Sequence, residues 1–187
     1  MADLELGKHA VFFYPNVHDK HHVLFTFIQR GVEEELKGIY LCGKQGTKGI
    51  RFAMKDFGID VLGSEKAGLL KIIDALEWFT EDGVFKASSV IEQQYRLLCE
   101  SAPQSSIRGL RVVVEVDNLI NGRFTSDLLV YESAIGHNIE LPLTMVCAYP
   151  ALYCSSGEEA LLSEIRKSHA IVIFPDYVEN LHKNIQS

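Results

Sequence analysis

Apolar runs of strand length alternate with segments of helical period along most of the chain. Residues 9–14 (HAVFFY) are one such run, followed by a short polar loop carrying three histidines and then by an apolar-faced helix. KGIYLCG (37–43) reads as a second buried strand. In TKGIRFAMKDFG (47–58), Ile50, Ala53, Met54 and Phe57 recur at i, i+3, i+4 and i+7, with Thr47 as N-cap and Gly58 as stop signal. GLLKIID (68–74) is a third strand, and SSVIEQQYRLLCES (88–101) a helix facing inward with Val90, Ile91, Tyr95 and Leu98. GLRVVVEVD (109–117) is the strongest strand signal, a nearly continuous apolar run closed by acids. TSDLLVYESAIGHN (125–138) is a helix, PLTMVCAYP (142–150) a strand, GEEALLSEIRKSH (157–169) a helix and AIVIFP (170–175) a last strand.

Six β/α units imply an α/β fold, a mostly parallel sheet with helices on both faces. SAPQSSIRG (101–109) reads as a surface loop, and without repeats, low-complexity segments or linkers the expectation is one domain over 1–187. In such sheets ligands bind outside the carboxyl ends of the strands. That rule selects the loop after Tyr14, the CGKQGT turn (42–47), the acids Glu115 and Asp117, and the turn after Val146.

The chain has 187 residues, 47% hydrophobic and 23% charged, an ordinary globular balance. A formal charge of −7 with scattered lysines and arginines argues against direct nucleic-acid binding. No apolar run reaches the roughly 20 residues of a membrane span, and the acidic start lacks a signal-peptide layout. The expected location is therefore cytoplasmic, with no membrane partner and with Cys42, Cys99, Cys147 and Cys154 reduced.

Each candidate motif has a plain alternative. GKQGTKG (43–49) lacks the spacing of a phosphate loop and reads as a Gly-rich turn. His18 and His22 in HDKHH share a helix face, but a metal site there would need a distant ligand such as His9 or Glu115. A solvated, histidine-rich loop at a helix start is the simpler reading, so no metal is expected. Glu115 lies on the same strand face as Val113 and Arg111, and a carboxylate in apolar company needs a partner, with Arg111 or Tyr131 the candidates. Cys147 could pair with His9 or His169, though no local nucleophile signature supports it. His169 ends a helix, where capping and a role in a pocket are both open.

In order, HAVFFY, FTFIQRGVEEELKGIYLC, FGIDV with GLLKII, GLRVVVEVD, YESAIGHNI, LPLTMVCAYP and IRKSHAIVIF resemble the MEDS domain, the methanogen/methylotroph sensory domain, over residues 9–174. The resemblance rests on the ordered set, not on one motif, and departs in having Leu119 near where the family carries a Trp. It implies a degenerate RecA/KaiC-like (P-loop NTPase-like) three-layer sandwich without a phosphate loop. It also implies a non-catalytic sensory domain, not an enzyme, which binds a small organic molecule and signals through a regulatory partner protein, as in transcription regulation. The implied ligand-binding residues are His9, Tyr14, Arg111, Glu115, Tyr131, Glu132, Cys147, Tyr149 and His169. Two alternatives stand beside this: a residual nucleotide-binding or NTPase protein using Glu115 or Asp117 for Mg²⁺, and a homo-oligomeric interaction module with an empty remnant pocket.

Overall fold

The structure, a computed structural model, describes residues 4–86, 92, 108–136, 139, 141–154 and 159–174. Strand β1 (His9–Tyr14) is buried along its whole length. Helix α1 (Val17–Glu33) follows after only Pro15 and Asn16. The Asn16 side chain accepts the Asp19 N–H, so the helix is capped before the histidines. This corrects the expected loop: the HDKHH segment lies inside the first turns of α1, not ahead of it. Leu24, Phe27, Ile28 and Gly31 make the buried stripe of α1 at helical spacing.

Strand β2 (Lys37–Cys42) leads through the CGKQGT turn into helix α2 (Gly46–Phe57). The N-cap is Gln45 and not Thr47, so the helix starts two residues sooner than expected, at Gly46 with its φ of +65°. Gly58 ends α2 in the left-handed region at φ +104°, as its stop signal predicts. A short helix (Val61–Lys66), strand β3 (Leu70–Asp74) and another short helix (Ala75–Phe79) follow.

Strands β4 (Thr80–Glu81) and β5 (Val84–Phe85) form a small hairpin turning at Asp82 and Gly83, both at positive φ. Apart from Glu92, the helix expected over 88–101 lies outside the described residues. The central strand β6 (Leu110–Glu115) is followed by helices Asp117–Asn121 and Thr125–Ile135, then by β7 (Leu143–Pro150), helix Glu159–Ser168 and β8 (Ile171–Ile173).

The six strands β3-β2-β6-β7-β1-β8 form one all-parallel sheet. Buried on both sides, they read as near-continuous apolar runs. Strand alternation divides the core. Val11, Phe13, Met145, Cys147 and Tyr149 face the Thr125–Ile135 and Glu159–Ser168 helices, in a cluster with Leu128 and Ile165. Ala10, Phe12, Tyr14, Tyr40, Val113 and Ala148 face α1 and α2, with Leu24, Phe25, Ile50 and Met54. Each fully buried phenylalanine contributes on the order of 2 kcal/mol to this packing. Leu119, at the family's departure from Trp, is wholly buried in the first cluster.

Candidate functional site

Two buried polar clusters lie on opposite faces of the sheet. The first stands at the strand carboxyl ends. Glu115, the last residue of β6, is fully buried, and its Oε1 lies 2.9 Å from Lys20 Nζ, itself almost wholly buried. The Tyr40 hydroxyl donates to the same oxygen, and the Gly43 N–H donates to Oε2 at 2.9 Å. Lys20 also donates to Gln45 Oε1 at 3.4 Å and lies 5.5 Å from the centroid of the Tyr14 ring. His21 stacks on Phe25 and reaches Gln45 Oε1 at 2.6 Å, and burial pulls its pKa down. Burial, and then the nearby Glu115 carboxylate, push the Asp117 carboxyl above its ordinary range. A Cβ on Gly43 would run into Asp117 Oδ1, so any other residue here requires the Asp117 carboxyl to shift.

The partners expected for Glu115 are therefore corrected. Arg111 shares its face, but four residues of strand put the two about 13 Å apart. Arg111 lies under the far end of α1, donating to Phe27 O at 2.8 Å and Glu34 Oε2 at 3.0 Å, with its guanidinium 4.9 Å from the centre of the Phe27 ring. Gly31 gives it room, since a Cβ there would meet Arg111 Cδ at 2.6 Å. Tyr131 is on the opposite sheet face, packed against Phe79 and Phe85 with its hydroxyl 3.9 Å from Met145 Sδ. Sequence reasoning missed Lys20 and Tyr40. The available signal was Lys20 four residues before Leu24, on the apolar stripe of α1.

The second cluster brings together five of the expected residues: His9, Glu132, Cys147, Tyr149 and His169, all buried. It is enclosed between β1, β7 and the two helices of that face. His9 Nε2 lies 3.4 Å from Cys147 Sγ, and the two imidazole centroids are 3.9 Å apart. His169 Nδ1 donates to Ile165 O at 2.6 Å, capping the preceding helix, while its Nε2 lies 3.9 Å from Glu132 Oε1. The contact with Ile165 O is the capping reading. The Tyr149 hydroxyl donates to Glu132 Oε1 at 2.8 Å. Burial raises the Glu132 carboxyl to about 7 and pushes the Cys147 thiol well up, the reverse of an activated nucleophile.

His18, His21 and His22 line a groove of about 270 Å³ with Phe25, Ala53, Asp56 and Phe57. Among the described residues, three metal-ligating groups converge only at His9, Cys147 and His169.

Comparison with known proteins now defines the class. The profile of MEDS, the MEthanogen/methylotroph, DcmR Sensory domain, matches residues 8–170. The chain belongs to the MEDS family of sensory domains, as its sequence resemblance implied. In fold it is similar to a KaiC-like protein from the hyperthermophilic archaeon Pyrococcus horikoshii, with 19% identity and a TM-score of 0.55. The likeness covers 76% of this chain and 61% of that one and concerns the fold alone, which is the expected RecA/KaiC type. Comparison with curated proteins returns no match. No helix among the described residues is long and apolar enough to cross a membrane.

Proposed function

We propose that the chain is a non-catalytic sensory domain that binds a small organic molecule at the strand carboxyl ends and passes the signal to a partner protein. Membership of a sensory family supports the role. The observation that carries the ligand class is the state of the first helix. A phosphate site needs an open helix N-terminus with free N–H groups and a lysine directed at the anion. Here the Asn16 side chain occupies an N–H of that terminus, and Asp19 adds a negative charge to its first turn. Lys20 is turned inward onto Glu115. Together they disfavour a nucleotide and favour a ligand of low charge.

In this reading Tyr14 supplies an apolar wall, while Glu115 and Lys20, with Tyr40 behind them, orient the ligand through hydrogen bonds. A ligand that competes for either partner shifts the Lys20–Glu115 pair, and α1 carries the change toward the surface.

Melting temperatures of the purified chain against a panel of small alcohols, amides and carboxylic acids, with Mg-ATP alongside, test this. A ligand of the folded state raises the melting temperature in proportion to its saturation. The expected result is a rise with at least one low-charge compound that Glu115→Gln loses, and none with millimolar Mg-ATP. A rise with Mg-ATP alone would overturn the reading in favour of a residual nucleotide site.

A further inference from the structure

We propose that His9, Cys147 and His169, with Glu132 as fourth ligand, form a closed binding site for one zinc-class divalent cation. It is separate from the ligand site proposed above, on the other face of the sheet, and does not depend on it. One ligand atom from each of His9, Cys147 and His169 lies within 4.8 Å of the others, and all three residues are buried. Tetrahedral coordination at bond lengths of 2.0–2.3 Å sets ligand atoms about 3.3–3.8 Å apart. His9 Nε2 and Cys147 Sγ already stand at 3.4 Å.

The hydrogen bonds around the cluster fix which atoms face inward. His9 Nδ1 lies 3.0 Å from Gly136 O and 3.2 Å from Ser168 O. His169 Nδ1 lies 2.6 Å from Ile165 O. A backbone carbonyl only accepts, so both Nδ1 atoms carry the proton. In the neutral rings the lone pair is then on Nε2, the atom toward Cys147 in one ring and toward Glu132 in the other. This is the outer-shell arrangement that orients metal-binding imidazoles.

Glu132 completes the set. Its Oε1 is 3.9 Å from His169 Nε2 and is held by the Tyr149 hydroxyl, while its fully buried Oε2 has no hydrogen-bond partner among the described residues. Two anionic ligands, thiolate and carboxylate, balance the double charge of the cation. A donor set of two nitrogens, one sulfur and one oxygen suits zinc and its neighbours, and not magnesium or calcium, which take oxygen. The ligands come from β1, the Thr125–Ile135 helix, β7 and the turn before β8, so a bound ion ties the sheet to the helices of one face.

Because the site is enclosed, the test loads it during folding. The protein is unfolded, refolded with excess Zn²⁺ or Co²⁺ and desalted. Metal per chain is then measured by mass spectrometry, with circular dichroism as a check on refolding. The expected result is one ion per chain and, with cobalt, a thiolate-to-metal charge-transfer band. The band should persist when Cys42, Cys99 and Cys154 are all changed to Ser, and in the pair His18→Asn/His22→Asn. It should vanish in Cys147→Ser. Refolded wild-type protein that retains less than about a tenth of an equivalent overturns the proposal. So does a band that survives Cys147→Ser or disappears with the surface histidines. If Cys147→Ser does not fold, metal content and band in the wild type and in His169→Gln decide: a full equivalent unchanged in His169→Gln also overturns it.

Discussion

The two buried polar clusters share a sheet and differ in how they balance charge. On the α1 face, Glu115 meets an ammonium, a phenol and a backbone N–H, so its ionised form is matched within the chain. On the opposite face Glu132 receives the Tyr149 hydroxyl, and among the described residues no lysine or arginine is part of that cluster. Burial outweighs the opposing Tyr149 and Cys147 contacts, and its carboxyl is held up to about 7. The same residue type at similar depth thus has an ammonium beside it in one place and a hydroxyl and a thiol in the other. A cluster with its own cation is closed to an external one, whereas a cluster of imidazoles, thiol and carboxyl without one is suited to accept it.

The largest effect should come from splitting the self-balanced pair. Glu115→Ala leaves Lys20 charged and buried, and Lys20→Met leaves Glu115 so, each costing about 3–5 kcal/mol in denaturant unfolding. The double change Lys20→Met/Glu115→Gln should recover much of that loss. Singles costing under about 1 kcal/mol would show that the pair is solvated and the contrast between faces unfounded. Next comes Gly43→Ala, whose Cβ would press Asp117 away from Glu115 and should cost about 1–3 kcal/mol. Tolerance of alanine at 43 would mean the turn is looser than described.

Matched hydroxyl deletions sharpen the comparison further. Tyr40→Phe leaves Glu115 with Lys20 and the Gly43 N–H, so it should cost about 1 kcal/mol. Tyr149→Phe removes the donor to Glu132 Oε1 in a cluster that holds no lysine or arginine among the described residues, and should cost more, up to about 3 kcal/mol. Equal costs would erase the distinction.

The smallest effect is a pH slope. The Asp117 carboxyl is raised by burial and then by Glu115, so the folded chain holds that proton more tightly than the unfolded chain. Stability should fall as pH rises from the ordinary carboxylate range through the raised value, and this contribution should level off above it. Asp117→Asn should flatten that part of the profile, read from melting temperatures at closely spaced pH.

Most of the sheet was legible because a parallel strand buried on both faces is a continuous apolar run. The span 9–14 was read to the residue, and 109–117 and 142–150 to within a few. The short helices at 61–66, 75–79 and 117–121 escaped, since five or six residues carry too little period. The β4–β5 hairpin does carry a local signal, the Asp82-Gly83 pair, a turn former for two-residue loops. HDKHH was misplaced because polarity was read as loop, whereas one side-chain cap at Asn16 starts the helix early.

The sequence by itself determined the strands and main helices, the family, and the sheet face of every residue along a strand, because the period of two is local. It placed Glu115 beside Val113 and Arg111 on that ground alone. Only the tertiary structure decided which partner each buried group meets. Lys20 reaches Glu115 because α1 crosses back over the sheet, and His9 reaches Cys147 because β1 pairs with β7, 138 residues apart in the case of the two side chains. Strand order and helix placement follow from burying both faces at once, a condition on the whole chain that no single segment contains.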